Sequence, residues 1–343
     1  MVAAGHSVHV ITSTPGPSGP SDTGVNVHRL GANRLPFVEV VFQPSALREI
    51  DEVLEREQIE LVHTHVSIVA PVGIGGARQA TRRRLPTVVT FHSFIPAMPL
   101  WASIVGRLVG ATRWNAALTA VSSRVAVEVR RFAPSTPIQV LPNAIDADFW
   151  TPGPTTDHTG VNLVAVTRLR SKKRPMLLID AAKEIRRALP SKPFRLRIAG
   201  SGPLEASMKR RVAREGLGDC VEFVGWRDAD GLRALLRDSD AFLSPTVRES
   251  FGLAALEARA VGFPVVAMRH SAVADFITNE ESGLLAASDR EFLDASVRIV
   301  NDDSLRSRMG QHNRSIRPEL TWDKSIRAHE AVYARAIAQL GFR

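Results

Sequence analysis

Ser244-Pro245-Thr246-Val247-Arg248-Glu249-Ser250-Phe251-Gly252-Leu253-Ala254-Ala255-Leu256-Glu257-Ala258 is the stretch on which the fold turns. It follows the apolar run Ala241-Phe242-Leu243, which reads as a buried strand, and leads into a helical pattern over 252–260. A strand, a short loop and a helix that opens on glycine place unpaired backbone N–H groups near Ser250 to Leu253, where they favour a phosphate. Gly252 lets the backbone approach such a ligand closely. Glu257 lies about two helical turns further on, within reach of a hydroxyl-bearing part of the same ligand. Taken alone, the two glutamates also suit an acid near a helix start and an exposed mid-helix residue.

Outward from this segment the same unit recurs. In the second half, strands over 161–166, 194–199, 221–224, Ala241–Leu243 and Val265–Ala267 alternate with helices over 175–188, 203–214, 230–237 and 252–260, and helices run from there to the end. In the first half, strands Val8–Thr12, Leu61–His63, Thr87–Phe91, Ala117–Val121 and Ile138–Leu141 alternate with helical patterns over 45–58, 71–83, 100–116 and 123–132. Pro15 to Pro20 reads as loop. Such alternation means parallel sheets covered by helices, in which ligands bind beyond the C-terminal strand ends. The Pro/Gly stretch Thr151-Pro152-Gly153-Pro154 coincides with a change in charge balance and marks the expected linker, with a ligand cleft expected between two doubly wound domains.

The length of 343 residues fits two domains, and 44% hydrophobic with 23% charged residues excludes wholesale disorder. No apolar run reaches the 18 to 20 residues of a membrane span, and one cysteine, Cys220, excludes a disulfide framework, so a cytoplasmic location is expected. The net charge of +9 asks about anionic partners. It is concentrated locally: Leu61 to Ile145 holds nine arginines against the single acid Glu128. Within it, Trp101, Ile104, Val105 and Leu108 share helical spacing beside Arg107 and Arg113. This stretch reads either as a core-facing helix, which spacing alone favours, or as a peripheral contact with anionic lipid at the inner membrane face. Arg82-Arg83-Arg84 suits that surface too, or a solvated face. No module for reading nucleic acid is recognisable, so nucleic acid is not expected as a partner.

Other candidates sit at strand ends. Arg168 and Lys173 follow the strand 161–166, and a guanidinium fork with a nearby ammonium suits a diphosphate. Lys172 and Arg174 read as solvated. Gly200 and Gly202 flank a tight turn before Pro203, while Val224 and Trp226 close the strand 221–224. His92 ends the strand Thr87–Phe91, with His63 and His65 as weaker candidates at the preceding strand end; none lies in a recognised metal pattern, so no catalytic metal is expected.

Together these residues resemble the retaining glycosyltransferases of family 4, which have the GT-B fold. The likeness is carried in order by Pro142-Asn143-Ala144-Ile145-Asp146, Val166-Thr167-Arg168-Leu169-Arg170-Ser171-Lys172-Lys173, Ile198-Ala199-Gly200-Ser201-Gly202-Pro203, Val221-Glu222-Phe223-Val224-Gly225-Trp226, and the E-x7-E segment running on to Val265-Val266-Ala267. The resemblance implies an α/β GT-B fold: an acceptor-binding Rossmann-like domain over 1–152, a nucleotide-sugar-binding one over 153–322, and a final helix, 323–343, crossing back onto the first. It implies transfer of a hexose from a nucleotide-diphosphate sugar (GDP-mannose or a UDP-sugar) to a lipid, glycan or small-molecule acceptor, without a cofactor. Arg168 and Lys173 would stabilise the leaving diphosphate, Glu249 with the amides of Ser250, Phe251 and Gly252 would hold the donor sugar, Glu257 the ribose, and Gly200, Gly202, Val224, Trp226 and Leu253 would line the donor site. His92 would lie near sugar and acceptor.

The sequence departs from the family at Gly5-His6-Ser7-Val8, which stands almost at the start where relatives first have a strand, a glycine-rich loop and most of a helix. The first domain is therefore read as N-terminally incomplete, with an exposed sheet edge. Ala144 and Ser271-Ala272 replace usual glycines. A weak or inactive nucleotide-sugar-binding protein and a GT-B sugar-nucleotide epimerase are the rival readings.

Overall fold

A computed structural model describes residues 1–31, 44–67, 70–94, 115–131, 133–153 and 159–341. The chain forms two compact units, one of Met1–Pro142 with Asp323–Arg343 and one of Asn143–Trp322. The boundary thus falls ten residues before the expected linker. Its reason is local: Ile145 bridges to Thr321 and donates its amide to the Leu320 carbonyl, which ties 143–152 into the second unit.

The first unit begins with β1 (His9–Thr12), β2 (Gly19–Pro20) and β3 (Asn26–Arg29). It continues through α1 (Pro44–Arg56), β4 (Val62–Val66), α2 (Pro71–Arg82), β5 (Thr87–Phe91), β6 (Ala117–Ala120), α3 (Ser123–Arg130) and β7 (Ile138–Val140). Among the described residues its strands make two sheets, β1-β3-β2 and the all-parallel β4-β5-β6-β7, with β1 and β4 each at an edge. Pro20 is tolerated because β2 is an edge strand that pairs only through Gly19 and Pro20. Loop chemistry therefore concealed β2, and β3 was not foreseen either. Helix α1 buries Ile50, Val53 and Leu54 as its spacing requires. It packs on α2, where a Cβ on Gly75 would come within 2.7 Å of Leu47 Cδ2.

The second unit contains β8 (Val161–Val166), α4 (Met176–Ala188), β9 (Phe194–Ala199), α5 (Glu205–Arg214), β10 (Val221–Gly225), α6 (Ala229–Arg237), β11 (Ala241–Ser244), α7 (Leu253–Ala260), β12 (Val265–Met268), β13 (Gly283–Ala286), α8 (Asp289–Asn301) and α9 (Asp303–Ser315). The six strands pair in parallel in the order β10-β9-β8-β11-β12-β13. Strand β13 corrects the reading of helices alone after Val265–Ala267. Gly283, which looks like a breaker, is required there because a Cβ would lie 2.1 Å from the Val265 carbonyl oxygen. Side-chain caps start three helices, as Asp228, Ser288 and Asp302 accept from the amides of Gly231, Glu291 and Leu305. Leu163, Leu178, Ile179, Ile185, Leu196 and Ile198 are fully buried between sheet and helices, each contributing roughly 1.5–3 kcal/mol over an exposed position.

The chain ends in α10 (Trp322–Gly341), whose Val332 and Ala336 are buried with Val88 of β5 and Leu141, closing one side of the first unit. Among the described residues no helix is long and apolar enough to cross a membrane.

Candidate functional site

Strand order in the second unit reverses between β8 and β11. The loops leaving these two strands part to opposite faces of the sheet, which opens a crevice at their C-terminal ends. Arg168 and Lys173 lie on the first loop, Glu249 to Gly252 on the second.

The crevice is built by backbone. The Thr167 amide donates to the Ala199 carbonyl, Leu169 to Ser201, and Gly200 to Gly225, lacing together the ends of β8, β9 and β10. Gly200 has φ +124°, and a Cβ there would sit 2.0 Å from the Thr167 carbonyl oxygen, so only glycine fits. Gly202 is crowded in the same way by the Leu169 carbonyl, 2.6 Å from where its Cβ would be. Register shifts between Phe223 and Gly225, putting Val224 at an irregularity that ends β10. Trp226 follows with 71% of its surface exposed, an indole face held at the mouth of the strand ends.

On the other loop, the Ala272 amide donates to the Glu249 carbonyl and the Thr246 hydroxyl to the Lys173 carbonyl. These bonds bring together residues 76 apart: Lys173 Nζ donates to Glu249 Oε2 at 2.6 Å, both side chains partly buried. Each partner satisfies the other's charge, so an arriving phosphate competes with Glu249 for the ammonium. Arg168 is exposed, and among the described residues no carboxylate pairs with it. Arg174, by contrast, is spent on Asp289 and the Pro245 carbonyl. Helix α7 starts at Gly252, φ +95°, with no side chain capping its first turn, which leaves that turn's amides available to an anion. Ser250 is half-buried and Leu253 exposed, but the Phe251 ring is buried against Phe276, so Phe251 can offer only its amide. Burial pushes the Glu257 carboxyl up to about 7.

In the first unit, His92 follows β5. Its Nε2 lies 2.8 Å from His65 Nδ1, so one proton is shared between the two rings. His63 Nδ1 lies 2.9 Å from the Tyr333 hydroxyl of α10, and its Nε2 lies 2.6 Å from Thr90 Oγ1, which meets Thr119 Oγ1 at 2.5 Å. His329 Nδ1 donates to the Ser325 carbonyl. Burial, and the neighbouring imidazoles after it, hold His63 at about 2 and His92 at about 4, while burial raises Tyr333 to about 12. His63, His65 and His92, all lowered by burial, are therefore neutral at physiological pH: they can exchange hydrogen bonds with hydroxyls but carry no fixed charge. Sequence ranked His65 below His92; the fold makes it His92's partner. Tyr333 belongs to the stretch that, with Thr321-Trp322-Asp323, resembles the family's final helix crossing back onto the first domain, but its contact with His63, 270 residues away along the chain, and the place of His329 beside it had no local signal.

Two further expectations fare differently. The apolar and arginine stretch from Trp101 to Trp114 lies outside the described residues. Arg83 is taken up by Asp51 at 2.5 Å and Glu55 at 2.9 Å and is not a free basic surface. The positions of Ala144 and Ser271-Ala272 accept side chains: Ala144 is buried, and Ser271 donates to the Met268 carbonyl.

This arrangement agrees with what comparison with known proteins finds. The sequence model of glycosyl transferases group 1 matches residues 148–316, and that of glycosyltransferase family 4 matches residues 1–149. The chain belongs to glycosyltransferase family 4. Two curated relatives are D-inositol 3-phosphate glycosyltransferases. That of Pseudarthrobacter chlorophenolicus is 29% identical over 91% of this chain and 81% of its own length. That of Corynebacterium jeikeium is 32% identical over 57% of this chain, the match spanning about half, 51%, of that relative. Among solved structures, Anabaena HepE in complex with UDP superposes with a TM-score of 0.75 at 15% identity, covering 96% of this chain and all of that one, which fixes the fold as GT-B.

Proposed function

We propose that the protein moves a hexose from a nucleotide-diphosphate sugar to a hydroxylated acceptor with retention of configuration. The observation that carries this reading is the grouping of Arg168, the Lys173–Glu249 pair and the uncapped start of α7 at the strand-order reversal. As the bond from the sugar's C1 to the diphosphate breaks, negative charge grows on the leaving oxygens. The Arg168 fork, the Lys173 ammonium and the α7 amides are oriented donors for that charge. The acceptor oxygen forms the new bond to C1, and its proton passes to the departing phosphate oxygen. Glu249, held by Lys173, binds sugar hydroxyls and is not a nucleophile, so attack occurs on the face the diphosphate leaves. Glu257 takes the ribose hydroxyls and Trp226 stacks on the base. His92, kept neutral, hydrogen-bonds hydroxyls on the acceptor side. The reaction uses no catalytic metal. The inositol 3-phosphate relatives favour a phosphorylated polyol over a lipid or glycan as the acceptor.

The test is calorimetry with UDP, GDP and ADP, followed by product analysis with the matching sugar nucleotide and candidate acceptors. Tight binding of one nucleotide and an acceptor-dependent product of retained configuration support the reading. Conversion of the sugar nucleotide without acceptor indicates an epimerase. Binding without turnover indicates a non-catalytic binder, the reading favoured by the split sheet of the first unit.

A further inference from the structure

In the first unit, apart from the His63–His65–His92 cluster, three potential ligands converge from three elements. His9 stands on β1, His28 on the adjacent parallel strand β3, and Glu57 just beyond α1. His9 pairs in register with Asn26 and Ile11 with His28, and a spacing of two along a strand keeps both imidazoles on one face. His9 Nδ1 lies 3.0 Å from His28 Nε2 and 3.8 Å from Glu57 Oε2, and the three donor atoms all fall within 4.8 Å of one another. We propose that His9, His28 and Glu57 bind a divalent ion of the zinc class, which fastens the three-stranded sheet to the end of α1.

Two neutral imidazoles and one carboxylate form a mixed N/O set that suits Zn²⁺ and its neighbours Co²⁺ and Ni²⁺ better than Ca²⁺ or Mg²⁺. Around a tetrahedral ion with bonds of about 2.05 Å, two ligand atoms stand about 3.3 Å apart and two imidazole centres about 5.2 Å apart. The observed ring centres are 5.3 Å apart with planes 11° from parallel. The rings are thus at the right separation and need only turn from sharing a proton to sharing an ion. The nitrogens then open by a few tenths of an ångström, and the carboxylate closes by a similar amount. A neighbouring hydrogen bond prepares one ligand already: His9 Nε2 lies 3.2 Å from Ser7 Oγ and can donate to it, which keeps the lone pair on Nδ1. Glu57 Oε1 is engaged by Arg56 Nε at 2.9 Å, leaving Oε2 for the ion. One contact opposes binding: Arg56 Nη2 stands 3.4 Å from His28 Nδ1. When the ion takes His28 Nε2, the proton moves to Nδ1, and the two donors then face each other. Arg56 must swing away, so it acts as a competitor for the site.

The site is tested with Zn²⁺ alone by calorimetry and with Co²⁺ alone by visible absorption, on the full chain without nucleotide. One equivalent of Zn²⁺ is expected to bind and raise Tm, and Co²⁺ to show the intense bands of four-coordination. H28Q and E57Q should each weaken Zn²⁺ binding by about tenfold or more, R56Q should tighten it, and H65Q, in the separate histidine cluster, should leave it unchanged. Circular dichroism of each variant guards against loss of fold. Absence of Zn²⁺ binding to the folded wild-type chain, or binding that H28Q and E57Q do not weaken while H65Q does, overturns the assignment. Neither result bears on nucleotide binding by the second unit.

Discussion

The strand ends of the two units carry polar clusters of opposite character. In the second unit the cluster is charged and partly uncommitted: Arg168 is exposed, Lys173 and Glu249 hold each other, and α7 starts without a cap. In the first unit the cluster is neutral and engaged: His65 with His92, and His63 with Tyr333 and Thr90, close hydrogen bonds inside the unit. A diphosphate is a multiply charged ligand that needs cations and amides. An acceptor hydroxyl needs neutral donors and acceptors whose positions are fixed. The two clusters thus differ by charge, which burial removes from one and exposure preserves in the other.

The contrast breaks most sharply at Arg168. R168A is expected to lower kcat/KM for transfer by about 10²- to 10³-fold, the usual effect of losing one donor to developing charge, with Tm unchanged because the side chain is exposed. R168K should recover only part of this, since an ammonium cannot fork. E249A is expected to cut turnover comparably while tightening the free nucleotide diphosphate, because it releases Lys173. Steady-state kinetics and calorimetry check both.

A smaller effect is expected in the neutral cluster. H92N should lower kcat by about 10- to 100-fold, within the range of a positioned hydrogen-bonding side chain. Because burial holds His92 near 4, the wild-type pH–rate profile should show no rising limb between pH 6 and 7 that disappears in H92N. Such a limb would mean that the imidazole titrates in the working range. W226A should weaken nucleotide binding by about three- to tenfold, the worth of one aromatic stack.

The smallest effect is on stability. Glu257 is raised from 4.5 to about 7 in the folded protein, so ionisation is easier after unfolding. Stability is therefore unaffected below about pH 4.5, falls between 4.5 and 7, and stays reduced above 7. E257Q should match the wild type at pH 4.5 and exceed it by roughly 1–3 kcal/mol at pH 8, as read by denaturant melts at the two pH values.

Much of the second unit was legible because its apolar runs are long and regularly punctuated. The strands 161–166 and 194–199 were read to the residue, and the glycine turn at 200–202 carried its own chemistry. Strand β13 was lost because Gly283 resembles a breaker until the Val265 carbonyl beside it is seen. Residues 168, 173, 249 and 257 stand out as candidates through family likeness, but the ion pair that joins two of them does not, since loops 76 residues apart meet only through strand order. The resemblance implies a final helix crossing back, but not that it brings Tyr333 to His63, nor that the adjacent strand ends of β4 and β5 join His65 to His92. The His9–His28–Glu57 group also lay outside sequence reading, as β3 itself went unseen.

The second unit's strand ends are proposed to bind a nucleotide diphosphate through exposed positive charge. Calorimetric titration of the wild type and R168A with UDP, GDP and ADP tests it most directly. Saturable one-to-one binding of one nucleotide to the wild type is expected, weakened by about tenfold or more in a fully folded R168A. Equal affinity in the two proteins, or no binding of any nucleotide to the folded wild type, would contradict it.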